Sequence, residues 1–141
     1  MAITTNAICN SFKKELLEAT HNFKNPGGNT FKLAMYTNSA ALGKSTTSFT
    51  TGGQVTSPSG YTSGGKALVN VGTSLATNTA ITDFADLSFT GVTLTARGAL
   101  IYNDTATGDP GVAVLDFGGD KTATSGTFTI QFPAFTTSAA I

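Results

Sequence analysis

The chain has no tryptophan, and among its 141 residues there is one histidine, His21, one cysteine, Cys9, and one arginine, Arg97. Only 11% of the residues are charged. Each shortage excludes something. A lone cysteine forms no intrachain disulfide. One histidine and one cysteine cannot furnish a zinc site or a nucleophile–base–acid triad from this chain alone. Eight carboxylates and eight Lys/Arg are thinly scattered and form no recognisable catalytic pair, so no enzymatic activity, no cofactor and no metal are expected. The formal net charge of zero lacks the basic excess that nucleic acid or an anionic membrane demands. The apolar runs, such as Gly98–Tyr102, are too short to cross a bilayer. The first twenty residues show no basic segment followed by an apolar one, so the expectation is a protein made in the cytoplasm.

In place of charge there are Thr, at about a fifth of the chain, Ser and Gly. The 40% of hydrophobic residues suffices for one core, and the length suggests one domain over residues 1–141. A neutral, weakly charged surface has little colloidal repulsion. Such a chain is expected in an assembly, with a homo-oligomer as the simplest form.

Hydrophobic periodicity divides the chain near Gly28. Before it, Ile8, Phe12, Leu16 and Ala19 recur at helical spacing, Thr4, Thr5 and Asn6 are competent caps, and Asn25-Pro26-Gly27-Gly28 is a stop. The spacing predicts one helix over residues 4–20. After it the period is two: Phe31, Leu33 and Met35; Ala67–Val71; Leu87–Phe89; Val92, Leu94 and Ala96 continuing to Tyr102; Val112–Phe117; and Phe128, Ile130 and Phe132, ended by Pro133. Short strands bounded by Gly and Pro, rich in β-branched Thr, predict a mainly β chain. The predicted architecture is an antiparallel β-sandwich or jelly-roll-like barrel with one N-terminal α-helix.

Two stretches break the pattern. Residues 38–65 read as a long Ser/Thr/Gly-rich loop with short edge strands near Phe49 and Val55, and residues 133–141 as an uncharged C-terminal tail. Both are expected to be contact arms, with Phe49, Tyr61, Phe135 and Ile141 as apolar anchors. Arg97 lies between small and apolar residues and is expected to fork onto Asp116 or onto a neighbouring subunit. With the four anchors it completes the candidate interface.

Several motifs resemble chemical sites and read better as structure. Gly60–Ala67 approximates a phosphate-binding loop, but Ala67 has no hydroxyl for a metal and the following Leu68–Val71 is strand-like. Gly118-Gly119-Asp120 reads as a hairpin connection. Asn103–Asp109 is rich in oxygen but lacks the acidic spacing of a calcium loop, and reads as a solvated turn. Asp83 and Asp86 are the closest carboxylates, expected to cap a helical turn or to bond backbone groups. His21 reads as a cation near a helix C-terminus, and Cys9 as a small buried hydrophobe.

The whole chain resembles a family of small virion structural proteins of tailed bacteriophages. The resemblance is carried by Ile3–Ala7 with Ser11-Phe12-Lys13, Phe31–Thr37, Gly60-Tyr61-Thr62 with Gly64-Gly65, Thr95–Asn103, Ala113–Lys121 and Phe128–Pro133. These are structural patches, and no family active site comes with them. The resemblance implies a virion protein contacting the major capsid protein or other virion components, first as a capsid cement or decoration protein. The alternatives are a neck, tail or baseplate block, or a receptor- or glycan-binding module of a fibre.

Overall fold

The computed structural model describes residues 3–56 and 60–134. The chain is mainly β, antiparallel and sandwich-like, with one short helix near its start. The elements are β1 (Ala7–Ile8), α1 (Asn10–Leu17), β2 (Phe31–Tyr36), β3 (Lys66–Ala67), β4 (Asn70–Ala76), β5 (Thr79–Phe84), β6 (Leu87–Asn103) and β7 (Gly111–Ile130). Five of the strands form one sheet in the order β1-β7-β6-β2-β3, and β4–β5 is a separate hairpin.

The central sheet is buried on both faces. Along β2, Phe31, Leu33 and Met35 enter one apolar cluster, while Ala34 and Tyr36 enter another. Strand β6 does the same, with Ala99 and Ile101 on the first face and Leu100 and Tyr102 on the second. Strands β6 and β7 are much longer than the sheet. Strand β2 pairs with β6 only from Gly98 to Asn103. The remainder of the β6–β7 ribbon curls over the first face and inserts Phe89, Val92, Leu94, Ala123 and Phe128 into the same cluster as Phe31 and Met35. Register shifts along the ribbon provide the bend. The second face is covered without strands, by Ile3, Cys9, Ala40 and Leu42, with Phe49 packed alongside.

The helix is shorter than its periodicity predicts, covering Asn10–Leu17 instead of residues 4–20. The residues before it are taken by the sheet. Ala7 and Ile8 pair with Val114 and Ala113, Cys9 N–H donates to the Val112 carbonyl at 3.0 Å, and Asn10 N–H donates to that of Lys44 at 2.8 Å. At the other end Ala19 adopts a left-handed φ of 57°. Its N–H donates to the Leu16 carbonyl and the N–H of Thr20 to that of Glu15, which closes the helix in a Schellman motif.

Residues 38–65 are integrated into the fold, contrary to their reading as a loose arm. Ala40, Leu42, Val55 and Tyr61 are buried. The expected edge strands reduce to isolated bridges at Ser48 and Gln54. Within this stretch, residues 57–59 lie outside the described part. Gly65 allows the close passage into β3: its φ is +80°, and a Cβ there would lie 1.8 Å from the Leu33 carbonyl oxygen. Gly118-Gly119-Asp120 is no hairpin connection either, since it is internal to β7.

Candidate interaction surface

The polar side chains that drew notice in the sequence are engaged inside the chain. Asn103 ends β6 and organises a buried network. Its Oδ1 accepts from the N–H groups of Thr105 and Ala106 at 3.0 and 3.1 Å, and its Nδ2 donates to Asn29 Oδ1 at 2.9 Å. Those partners fix the amide orientation, so Nδ2 also donates to His21 Nδ1 at 3.2 Å. The ring proton therefore sits on Nε2, 2.8 Å from Glu15 Oε2. The His21 side chain has no exposure, so this is a packed tie between α1 and the end of β6 and not a dipole contact in solvent.

The two close aspartates do separate work on the backbone. Asp83 is buried and accepts from the Phe84 N–H at 2.8 Å, whereas Asp86 accepts from that of Phe132 at 2.8 Å. Asp104 forms an ion pair with Lys32 at 3.0 Å. Lys66, at the end of the phosphate-loop lookalike, donates to the Ser88 carbonyl at 2.7 Å. Among the described residues no group of three or more His, Cys, Asp or Glu could hold a metal ion, and no helix is long and apolar enough to cross a membrane.

Of the five candidate interface residues, three fall within the described part. Arg97 finds a carboxylate, but it is Asp120 and not Asp116: Nε donates to Oδ1 at 2.8 Å. The register explains the exchange. Ala96 pairs with Lys121 and Gly98 with Asp116, so Arg97 alone faces the bulged residues 117–120 of β7. Asp116 instead accepts from the Gly118 N–H within that bulge. Tyr61 is only 3% exposed, and its hydroxyl accepts from the Met35 N–H at 2.9 Å and donates to Gln54 Oε1 at 3.0 Å. Phe49 is half-buried and stacks on Tyr102 with ring centroids 4.7 Å apart. Both rings anchor the 38–65 stretch to its own core. Phe135 and Ile141 lie outside the described residues.

Burial raises the phenols of this region. Tyr61 is pushed up to about 12, and Tyr36 and Tyr102 higher still, desolvation being the largest cause in each. Burial likewise pushes the Cys9 thiol up to about 11, which leaves it a poor nucleophile at neutral pH.

The surface that stands out is one that composition did not disclose. A groove of about 370 Å³ runs between α1 and the β4–β5 hairpin. Its walls include Ile8, Phe12 and Leu16 on one side and Ala80, Ile81 and Phe84 on the other, and Lys13 is the one charged residue lining it. Below it lies an aromatic stack: Phe23 sits 4.3 Å from Phe31 at an interplanar angle of 10°, and Phe84 lies 5.7 Å from Phe31. Two of the lining residues, Ile8 and Leu16, are 40% and 45% exposed, and further large apolar side chains are exposed on the elements beside the groove. Leu17, next to Leu16, is 91% exposed; Leu75, directly opposite Ala80, is 70% exposed; Val69, whose carbonyl receives the N–H of Ala85, is 66% exposed. Single exposed apolar residues need no explanation, but several around one apolar groove mark an interaction surface.

A second open feature is the outer edge of β7. Strand β1 pairs with it only at Ala113 and Val114, and from Phe117 to Ile130 no further strand among the described residues adds to that edge. A hollow of about 900 Å³ follows this stretch. Only Asp120 and Lys121 are charged along it, and an unguarded edge of this kind is competent to pair with another chain.

No protein-family model matches the chain, and no curated protein or solved structure matches it either.

Proposed function

We propose that this chain is a non-enzymatic structural protein of a tailed-phage virion, working by contact with its neighbours. The observation that supports this reading best is the apolar groove, lined by the exposed Ile8 and Leu16, with Leu17, Leu75 and Val69 exposed on the elements beside it. A protein with so few charges that leaves these side chains in solvent is suited to an environment where another surface covers them. The open edge of β7 gives additional support, because strand addition supplies backbone hydrogen bonds without any charged recognition. The proposed partners are the major capsid protein or other virion proteins and further copies of this chain, and the proposed station is that of a capsid cement or decoration protein.

The test is incorporation. Leu17→Glu replaces a side chain that is almost fully exposed, so thermal unfolding of the isolated protein should shift little, by about 0.5 kcal/mol or less. Incorporation into particles should fall severely, because a carboxylate would be buried without a partner in the contact. Normal incorporation of Leu17→Glu together with a corresponding Val69→Glu variant would overturn the contact reading. The same groove and edge would serve a neck, tail or baseplate block. Copy number per particle separates the stations: on the order of hundreds for a shell protein, far fewer for a component on the particle's unique axis.

A further inference from the structure

We propose that His21 is a pH-sensitive latch between α1 and the end of β6, opened when the ring takes up a second proton at Nδ1. It is the only histidine of the chain, and its side chain has no exposure. Both ring nitrogens are committed: Nε2–H donates to Glu15 Oε2 at 2.8 Å, and Nδ1 accepts from Asn103 Nδ2 at 3.2 Å. The ring lies 4.8 Å from that of Phe12 on α1 and stacks at 6.3 Å on Phe31 of β2.

An imidazolium donates from both nitrogens and accepts at neither. A proton on Nδ1 therefore points at the Asn103 amide nitrogen, itself a donor. Turning the amide round to offer Oδ1 is closed as a remedy. Oδ1 already accepts from the N–H groups of Thr105 and Ala106, and Nδ2 donates to Asn29 Oδ1 at 2.9 Å. The turned amide would face two donors with its nitrogen and the Asn29 oxygen with its own oxygen. The charged ring keeps Glu15, whose carboxylate attracts it, and parts from Asn103. Glu15 and Phe12 both belong to α1, so the helix moves with the ring. None of the eight helix residues is buried, and an element with so little burial opens at low cost.

The surroundings leave the proton to His21. Among the described residues Glu15 is the one titratable group in contact with the ring. Strand β2 presents Phe31, β6 presents Asn103, and the stretch leading into β2 presents Phe23. The neighbouring charges of the two strands, Lys32 and Asp104, pair with each other at 3.0 Å. The Cys9 thiol, which feels the Glu15 charge, is pushed up to about 11 and stays neutral throughout. Histidine changes charge between about pH 5 and 8. The open form binds one proton more than the closed form, so opening is favoured as pH falls.

For its purpose the latch rests on the contact reading above: Phe12 and Leu16 of α1 line the groove, so acid would withdraw one wall of the contact surface. Its test uses the isolated full chain. Ring nitrogen-15 resonances follow the single histidine directly, and hydrogen exchange with mass spectrometry follows residues 10–17 against residues 31–36 as the control. Between pH 7 and pH 5, above the ordinary carboxylate range, the ring should become doubly protonated. Over the same interval α1 should lose about tenfold in protection, corrected for the intrinsic exchange rate, while β2 keeps its own. In His21→Gln the loss should disappear. Glu15→Gln retains an acceptor for Nε2–H but not the charge that favours the imidazolium, so the loss should move to lower pH; this variant decides the matter if His21→Gln does not fold. A ring that stays singly protonated down to pH 5 would overturn the proposal. So would a protonated ring with unchanged α1 protection, or an equal loss in His21→Gln. If any of these results were obtained while Leu17→Glu still blocked incorporation, the latch would fail and the contact reading would stand; an acid-labile α1 with normal incorporation of Leu17→Glu and Val69→Glu would leave the latch and remove the contact reading.

Discussion

At the residue scale the chain depends on a few polar side chains with many partners. Asn103 is fully buried and satisfies Thr105, Ala106, Asn29 and His21 at once. Asn103→Ala should lower unfolding free energy by about 2–4 kcal/mol in chemical denaturation, since it leaves several buried groups unpaired. Asn103→Asp should not rescue it, because Asp supplies no amide donor for His21 or Asn29. The phenols make a second prediction. Tyr61 is neutral in the fold until about pH 12, whereas an unfolded tyrosine ionises near 10. Above that value the unfolded state binds fewer protons than the native one, so stability falls as pH rises. Stability from this source should be intact below about pH 10 and decline steadily through pH 12, with Tyr36 and Tyr102 adding in the same direction. Denaturation followed against pH should show the decline, and it should be shallower in Tyr61→Phe.

At the element scale the helix is the most conditional piece. Eight residues are too few for a helix to persist in water by itself, and none of the eight is buried. Phe12, packed against both core clusters, and the Glu15–His21 tie hold it in place. Its C-terminal residue of left-handed conformation is alanine, where glycine has no steric penalty. Ala19→Gly should therefore raise stability by about 0.5–1 kcal/mol, the relief of the left-handed conformation exceeding the entropy lost from the unfolded chain. A thermal melt compares the two, and a destabilised variant would contradict the Schellman geometry. The helical spacing of Phe12 and Leu16 was legible in the sequence. That Ile8 would leave the helix for β1 was not, because its partner strand lies more than a hundred residues away. Strand β5 was missed for a related reason: Asp83 occupies an inward position that an alternation rule assigns to an apolar residue, and only its bond to the Phe84 N–H makes that burial tolerable.

At the scale of the whole molecule, the long β6–β7 ribbon serves two layers, and the irregular 38–65 stretch closes one face of the sheet. Tyr36, Tyr61 and Tyr102 secure that stretch, donating or accepting at Thr50, Met35, Gln54 and Gly64. A segment so heavily anchored should resist proteolysis in the isolated protein at sites between 38 and 56. This differs from the behaviour its Ser/Thr/Gly composition suggests. Limited digestion with mass spectrometric mapping checks it, and rapid cleavage there would contradict the packing of Ala40, Leu42 and Val55.

The β class, the single helix near the start and the turn after Asn103 follow from local rules: alternation, capping residues and Gly/Pro punctuation act over a few neighbours and survive in the sequence alone. The pairing of Arg97 with Asp120, the burial of Tyr61, the hub at Asn103 and the groove beneath α1 were decided only by the tertiary structure. Each joins residues distant along the chain, and each depends on register. Asp120 continues the register that pairs Ala96 with Lys121, the extra residues of β7 that follow shift Asp116 to Gly98, and no local pattern encodes where such a bulge falls.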